Sequence, residues 1–146
     1  MQGSSAKVSI LVIESNSDHA HLIETALTQN APQRQIIFVA DGAQAVDFLH
    51  HRGAYQAVNR PDLILLDLNL PGQDGKEILM QIKTDSQLKR IPIVVLTTSD
   101  REEDIFKTYA LQGNCYVVKS SDLDQLFKIV KRIEEFWLGI VTLPVE

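Results

Sequence analysis

Four apolar runs of this sequence end on side chains that can do chemistry. The run 8-VSILVIE-14 stops at Glu14-Ser15, and LILL at 63–66 runs into Asp67-Leu68-Asn69. IPIVVL at 91–96 leads to Thr97-Thr98-Ser99, and CYVV at 115–118 leads to Lys119-Ser120. Two carboxylates, a set of hydroxyls and one ammonium are the parts a carboxylate needs to accept a phosphoryl group. An aspartate can attack as a nucleophile and form an acyl phosphate. Like-charge repulsion opposes that attack. A divalent cation held by carboxylates and backbone carbonyls relieves it, and Mg²⁺ suits because it takes one or two carboxylates plus phosphate. A lysine and a hydroxyl then bind the remaining phosphate oxygens. Asp67 carries the clearest signal. A turn aspartate after a strand is common, but a charge set among the leucines of LILLDL ordinarily avoids such a place. Lys119 alone reads equally well as an exposed strand-end charge, and Thr97 alone as a strand threonine.

These groups converge only if the runs are neighbouring strands. A fifth run, 35-QIIFVA-40, completes the set. Most of the runs are continuous rather than alternating, as in strands buried on both faces. Stretches of helical period lie between them, with Leu22, Ile23, Ala26 and Leu27 on one expected face. The others are Val46, Leu49 and His50; Ile78, Leu79 and Ile82; Ile105, Phe106, Tyr109 and Ala110; and Leu123, Leu126, Phe127, Val130, Ile133 and Trp137. Ser17-Asp18, Asp41-Gly42, Asp74-Gly75, Asp100 and Ser121-Asp122 stand where N-caps are expected. Asn30 with Pro32, Gly53 and Gly113 are the expected stops. Strict β-α alternation predicts an α/β fold: a doubly wound, five-stranded parallel sheet with right-handed crossovers. The flavodoxin-like order 2-1-3-4-5 places ligands beyond the carboxyl ends of the strands and sets strands 1, 3, 4 and 5 side by side.

The bulk numbers fit one such domain over residues 1–146, with a short loose N-terminus at 1–7 and a tail at 139–146. Of the 146 residues 45% are apolar and 23% charged, enough for a core without disulfides or structural metal. A net charge of −5 argues against nucleic acid as a partner. No apolar run approaches the roughly 18 residues of a membrane span, and MQGSSAK lacks a signal-peptide core. The single Cys115, in an apolar run, reads as a buried structural thiol. One thiol forms no internal disulfide, which fits a cytoplasmic protein. His19 and His21 diverge on a helix, as do the adjacent His50 and His51, so neither pair is expected to bind metal.

The motifs Glu14, LILLDLNLPGQDG (63–75), IPIVVLTTS (91–99) and CYVVKS (115–120) resemble those of the receiver domain of two-component response regulators. RPDLILLDLNLPG, LKRIPIVVLTTS, NCYVVKSSDL and EFWLGIVTLP are similar to segments of the cyanobacterial phytochrome-associated response regulators. The resemblance implies a flavodoxin-like receiver that is not an enzyme and takes phosphate from a phytochrome-type histidine kinase. Asp67 would be the phosphoacceptor. Mg²⁺ would be held by Glu14, Ser15, Asp67 and the backbone carbonyl of Asn69. Thr97 would close on the phosphate, Lys119 would pair with it, and Tyr116 would report the switch.

Two positions depart from the family pattern. Receivers carry two acids at the end of strand 1. Aligned by the following helix, Glu14 takes the first place and Ser15 the second, that of the direct metal ligand. A one-residue slip would put Glu14 on the ligand and Ile13 on the first acid. Loss of a charge-assisted contact predicts metal binding weaker by about 1–3 kcal/mol. Ser120 stands where most receivers have a proline after a cis peptide. A cis bond before a non-proline residue costs about 2.5–4 kcal/mol, so a trans Lys119–Ser120 bond is expected.

With no residues left for an output domain, the signal is expected to leave through contacts with a downstream protein. Ile129 and Phe136, seven apart, form a second stripe on the last helix beside the core stripe. With the apolar tail they suggest a symmetric homodimer; otherwise the tail folds back over them. The rival reading is a pseudo-receiver, a binding or dimerisation module that no longer depends on phosphate. A flavin-binding relative would want a phosphate cradle after strand 1, and an aspartyl phosphatase a second acid where Asn69 stands.

Overall fold

The computed structural model describes residues 8–56 and 60–144. The expected loose N-terminus, 1–7, and the last two residues of the tail lie outside that range. Five parallel strands form one sheet: β1 Ser9–Ile13, β2 Gln35–Val39, β3 Leu63–Leu66, β4 Ile93–Thr97 and β5 Cys115–Val118. Their order is β2-β1-β3-β4-β5, as the alternation predicts. Each strand is shorter than its apolar run; Glu14, Asp67 and Lys119 lie one residue beyond the ladder, and Thr97 is its last residue on β4. β1, β3 and β4 are buried along their whole length. The edge strands β2 and β5 are only half covered. Ile13 pairs with Val39 on one side and Leu66 on the other. It lies wholly in the core as the last residue of β1, and Glu14 is the first residue beyond the strand.

The helices are α1 Ser17–Thr28, α2 Gly42–Leu49, α3 Gly75–Thr84, α4 Glu102–Ala110 and α5 Leu123–Glu135. One apolar cluster joins Leu11, Ile13, Ile64, Leu66, Phe48, Ile78 and Ile82 on one face of the sheet. The other joins Ile10, Val12, Ile23, Leu65, Val94, Leu126 and Val130 on the opposite face. Burial of each such side chain is worth about 1.5–3 kcal/mol, so the sheet that carries the polar strand ends is rigid.

Several local expectations need correction. The α1 N-cap is Asn16, one residue before Ser17, because its side chain reaches the N–H groups of Asp18 and His19. Arg101 rather than Asp100 precedes α4 and gives no side-chain cap. Asp41, Asp74 and Asp122 cap as expected. On α2 the buried aromatic is Phe48, while His50 is an exposed C-cap. Leu123, expected in the core, is 46% exposed at the open first turn of α5. The largest miss is α4. Its buried residues are Asp104 and Thr108, whereas Phe106 is 74% and Tyr109 51% exposed, and Ala110 is exposed too. Asp104 is drawn inward by Lys76 and Ser99, and Thr108 packs on Gly113, where a Cβ would come within 2.7 Å of the threonine methyl. Gly113 is therefore required by close packing; the left-handed residue at that helix end is Gln112.

α5 runs on into a wider π turn, Phe136–Ile140. Trp137 and Leu138 are partly buried against the core, as is Ile129. Phe136 stays 50% exposed and Ile140 is more exposed still, so the described part of the tail leaves this stripe open. Among the described residues no helix is long and apolar enough to cross a membrane.

Candidate functional site

The carboxyl ends of β1, β3, β4 and β5 meet as the strand order demands. The backbone N–H of Asp67 donates to the Ile13 carbonyl (3.0 Å), and that of Lys119 to the Thr97 carbonyl (2.8 Å). The ladder geometry therefore continues one residue past the strands and sets the site residues side by side. The Lys119 ammonium lies 2.6 Å from Glu14 Oε1 and 2.8 Å from Asp67 Oδ2. All three side chains are nearly sealed from solvent. A third partner was not anticipated: the Lys119 Nζ is 2.8 Å from His19 Nδ1. His19 is buried on the first turn of α1, so the sequence reading, which weighed it only as a metal ligand, missed a member of the site.

Backbone groups fix the carboxylates further. Glu14 Oε2 accepts from the Asn16 N–H (3.0 Å), and Asp67 Oδ1 from the Asn69 N–H (2.9 Å). Burial pushes the Glu14 carboxyl above its ordinary range, opposed chiefly by its hydrogen bond from Lys119. Burial and the Lys119 charge hold the His19 imidazole below its ordinary value. Gly75 opens α3 directly behind Asp67. A Cβ there would sit 2.5 Å from the Leu68 Cα and 2.9 Å from the Asp67 carbonyl oxygen, so only glycine lets the helix start close enough to shape this turn.

Thr97 is fully buried. Its hydroxyl accepts long contacts from Asn69 Nδ2 (3.4 Å) and the Ser99 N–H (3.5 Å), and Asn69 Nδ2 also reaches the Thr98 hydroxyl (3.3 Å). Ser15 is exposed, and its hydroxyl donates over 3.4 Å to the Asn69 carbonyl. Among the described residues no three His, Cys, Asp or Glu side chains converge on a metal position. The available set is two carboxylates, one backbone carbonyl and one hydroxyl. All are oxygen donors, the type a hard cation takes, but with one anion fewer than two acids at strand 1 would give. Every peptide bond among the described residues, Lys119–Ser120 included, is trans.

A second network leaves the pocket. The Tyr116 hydroxyl donates to the Ser99 carbonyl (2.8 Å), the Ser99 hydroxyl to Asp104 Oδ2 (2.6 Å), and Lys76 Nζ to Asp104 Oδ1 (2.5 Å). The hydrogen bonds from Lys76 and Ser99 hold the Asp104 carboxyl below its ordinary range. On the outside of α4 the Tyr109 hydroxyl accepts from the Tyr116 N–H. The loop after Thr97 is thereby tied to β5, α3 and α4. Cys115 is half-buried rather than sealed, and burial pushes its thiol up.

Residues 10–131 match the family described as the response regulator receiver domain. The chain belongs to that family. This receiver is 47% identical over 135 residues to Response regulator Rcp1 of Synechocystis sp., covering 92% of each chain. It is 40% identical to the probable methanogenesis regulatory protein FilR2 of Methanothrix harundinacea, covering 89% of this chain and 83% of that one. Among solved structures it superposes on the phosphorylated cyanobacterial phytochrome response regulator RcpA with a TM-score of 0.92 and 51% identity, covering 96% of this receiver and all of RcpA. The Mn²⁺-bound form of Rcp1 gives a TM-score of 0.90 and 46% identity, covering 94% of this chain and 99% of that one. The flavodoxin-like receiver fold and the kinship with phytochrome response regulators are both established by these matches.

Proposed function

We propose that this receiver acts as a response regulator: Asp67 takes a phosphoryl group from the phosphohistidine of a phytochrome-type histidine kinase. The carrying observation is the sealed triad Glu14–Lys119–Asp67, in which an ammonium already rests on the carboxylate that would be modified. An Asp67 carboxylate oxygen attacks phosphorus, the acyl phosphate bond forms, and the P–N bond breaks with the electron pair leaving on the donor imidazole. Glu14, Asp67, the Asn69 carbonyl and, more weakly, Ser15 would hold Mg²⁺, which supplies neutralisation of phosphate charge when bound. Lys119 takes a phosphoryl oxygen and Thr97 closes on another. Movement of Thr97 strains the following loop, whose Ser99 carbonyl holds Tyr116 and whose hydroxyl holds Asp104 at the start of α4. The exposed Phe106 and Tyr109 on α4 then carry the change to a downstream protein.

Incubation with acetyl phosphate and Mg²⁺, followed by intact mass measurement, is expected to show one hydroxylamine-labile phosphoryl adduct. Asp67→Asn abolishes it. Absence of the adduct in the unaltered protein, from acetyl phosphate and from phosphorylated kinase alike, would favour the phosphate-independent module instead.

The protein also forms a symmetric homodimer in this reading. Of the stripe formed by Ile129 and Phe136, Ile129 is partly buried against the core. Supporting the dimer are the exposed Phe136 and Ile140 and the apolar groove beside them, lined by Cys115, Val117, Ile129, Ile133 and Trp137. A two-fold interface uses one patch against itself, so a single charge on each copy enters twice. Phe136→Asp is expected to sediment as a monomer and the unaltered chain as a dimer. A monomer in both rules the interface out.

A further inference from the structure

We propose that His19 is a positioning residue for Lys119, aiming its ammonium at the phosphoacceptor. The proposal rests on the phosphoacceptor reading of Asp67 and adds a residue to it. A lysine ammonium has three N–H donors and no acceptor. Here it has three acceptors: Glu14 Oε1 at 2.6 Å, Asp67 Oδ2 at 2.8 Å and His19 Nδ1 at 2.8 Å. Because the ammonium can only donate, Nδ1 must be the unprotonated nitrogen and Nε2 carries the hydrogen.

Two of the three acceptors belong to one short unit. The Asn16 side chain accepts from the His19 N–H (3.1 Å), and the Asn16 N–H donates to Glu14 Oε2 (3.0 Å). The turn 14–19 thus sets carboxylate and imidazole relative to each other. Lysine otherwise carries its charge on a flexible stem with much rotamer freedom. With two donors fixed by Glu14 and His19, the third can only point at Asp67. When Asp67 is phosphorylated, that third N–H passes to a phosphoryl oxygen while the other two contacts stay. Ser15, in place of an acid, leaves the cation a weaker hold on the site, so this orientation of Lys119 counts for more. His19 does not take up metal through Nδ1, because Lys119 occupies that nitrogen.

The test measures the rate of acyl phosphate formation from acetyl phosphate at saturating Mg²⁺, with Mg²⁺ affinity measured separately. His19→Leu is expected to slow the reaction about tenfold, the size of one lost hydrogen bond to a charged group. Mg²⁺ affinity should stay within about twofold, because His19 is no ligand. His19→Asn, whose amide oxygen can replace Nδ1 as acceptor, restores most of the rate. In a Lys119→Ala background His19→Leu is expected to add nothing. Equal slowing in both backgrounds, or none in the first, overturns the proposal. If the unaltered protein accepts no phosphoryl group, the phosphoacceptor reading fails on its own. The ¹⁵N resonances of His19 still decide this one: Nδ1 unprotonated in the unaltered protein, with that tautomer preference weakened or lost in Lys119→Ala, upholds it, and the same tautomer population in both proteins overturns it.

Discussion

Lys119→Met is expected to destabilise the metal-free protein by about 3–5 kcal/mol at pH 7, the cost of leaving buried charge without its partner. The ammonium is 2% exposed and serves two carboxylates that are themselves almost fully buried. Burial already raises the Glu14 carboxyl above 4.5, with the Lys119 hydrogen bond the largest opposing influence and Asp67 adding repulsion. Without Lys119 the rise must grow. A carboxyl whose folded-state pKa lies above its unfolded value adds stability that is complete below the unfolded value and lost as pH rises through the folded one. The deficit should therefore be largest near neutral pH and shrink as pH falls through the raised folded-state value, where the buried Glu14 takes up its proton. A divalent cation binding only the folded state should restore stability in proportion to its occupancy. Urea unfolding at pH 7 and pH 5, with and without Mg²⁺, measures all of this. A deficit that ignores both pH and metal would mean that only the packing of the lysine stem had been lost.

The same site shows what the sequence can and cannot disclose. Glu14, Asp67, Thr97 and Lys119 were legible because each ends a continuous apolar run, and parallel order brings such ends together. His19 was legible in principle: 19, 23, 26 and 27 share one face of α1, and all four are buried. The expected face began at Leu22, because a histidine carries no apolar signal and its partner lies 100 residues away. α4 failed for a different reason. Its four apolar residues at helical spacing look like a core stripe, yet the ion pair of Asp104 with Lys76 and the close fit of Thr108 on Gly113 fix the helix with a polar face inward. Periodicity measures how apolar a face is. It does not register a long-range ion pair or the shape of a glycine contact, and here those two decide the rotation of the helix. The result is that Phe106 and Tyr109 stand exposed on the same helix whose Asp104 is tied to the loop after Thr97.

Ser15→Asp is expected to tighten Mg²⁺ and Mn²⁺ binding about ten- to hundredfold, from a gain of about 1–3 kcal/mol for a charged ligand over a neutral one. Glu14 and Asp67 share a single ammonium, which leaves one negative charge for a cation to answer. Ser15 contributes only a hydroxyl, 3.4 Å from the Asn69 carbonyl, on the open side of the pocket. An aspartate there adds a full charge beside that carbonyl, where a hard cation prefers anionic oxygen. The same charge carries a penalty without metal, because a third carboxylate then faces the two already present. The variant should thus be less stable than the unaltered protein in chelator and regain or exceed its stability in millimolar Mg²⁺. Calorimetric titration gives the affinities, and thermal unfolding with and without cation gives the linked stabilities. Equal affinities in both proteins would mean that position 15 lies outside the coordination sphere and that the buried Glu14 supplies the strand-1 ligand alone. In that case Lys119 would have to release Glu14 for metal to bind, and metal affinity would rise in Lys119→Met. If Ser15 holds the ligand position, Lys119 and the cation engage different oxygens, and Lys119→Met gains no more affinity than the removal of a nearby positive charge provides.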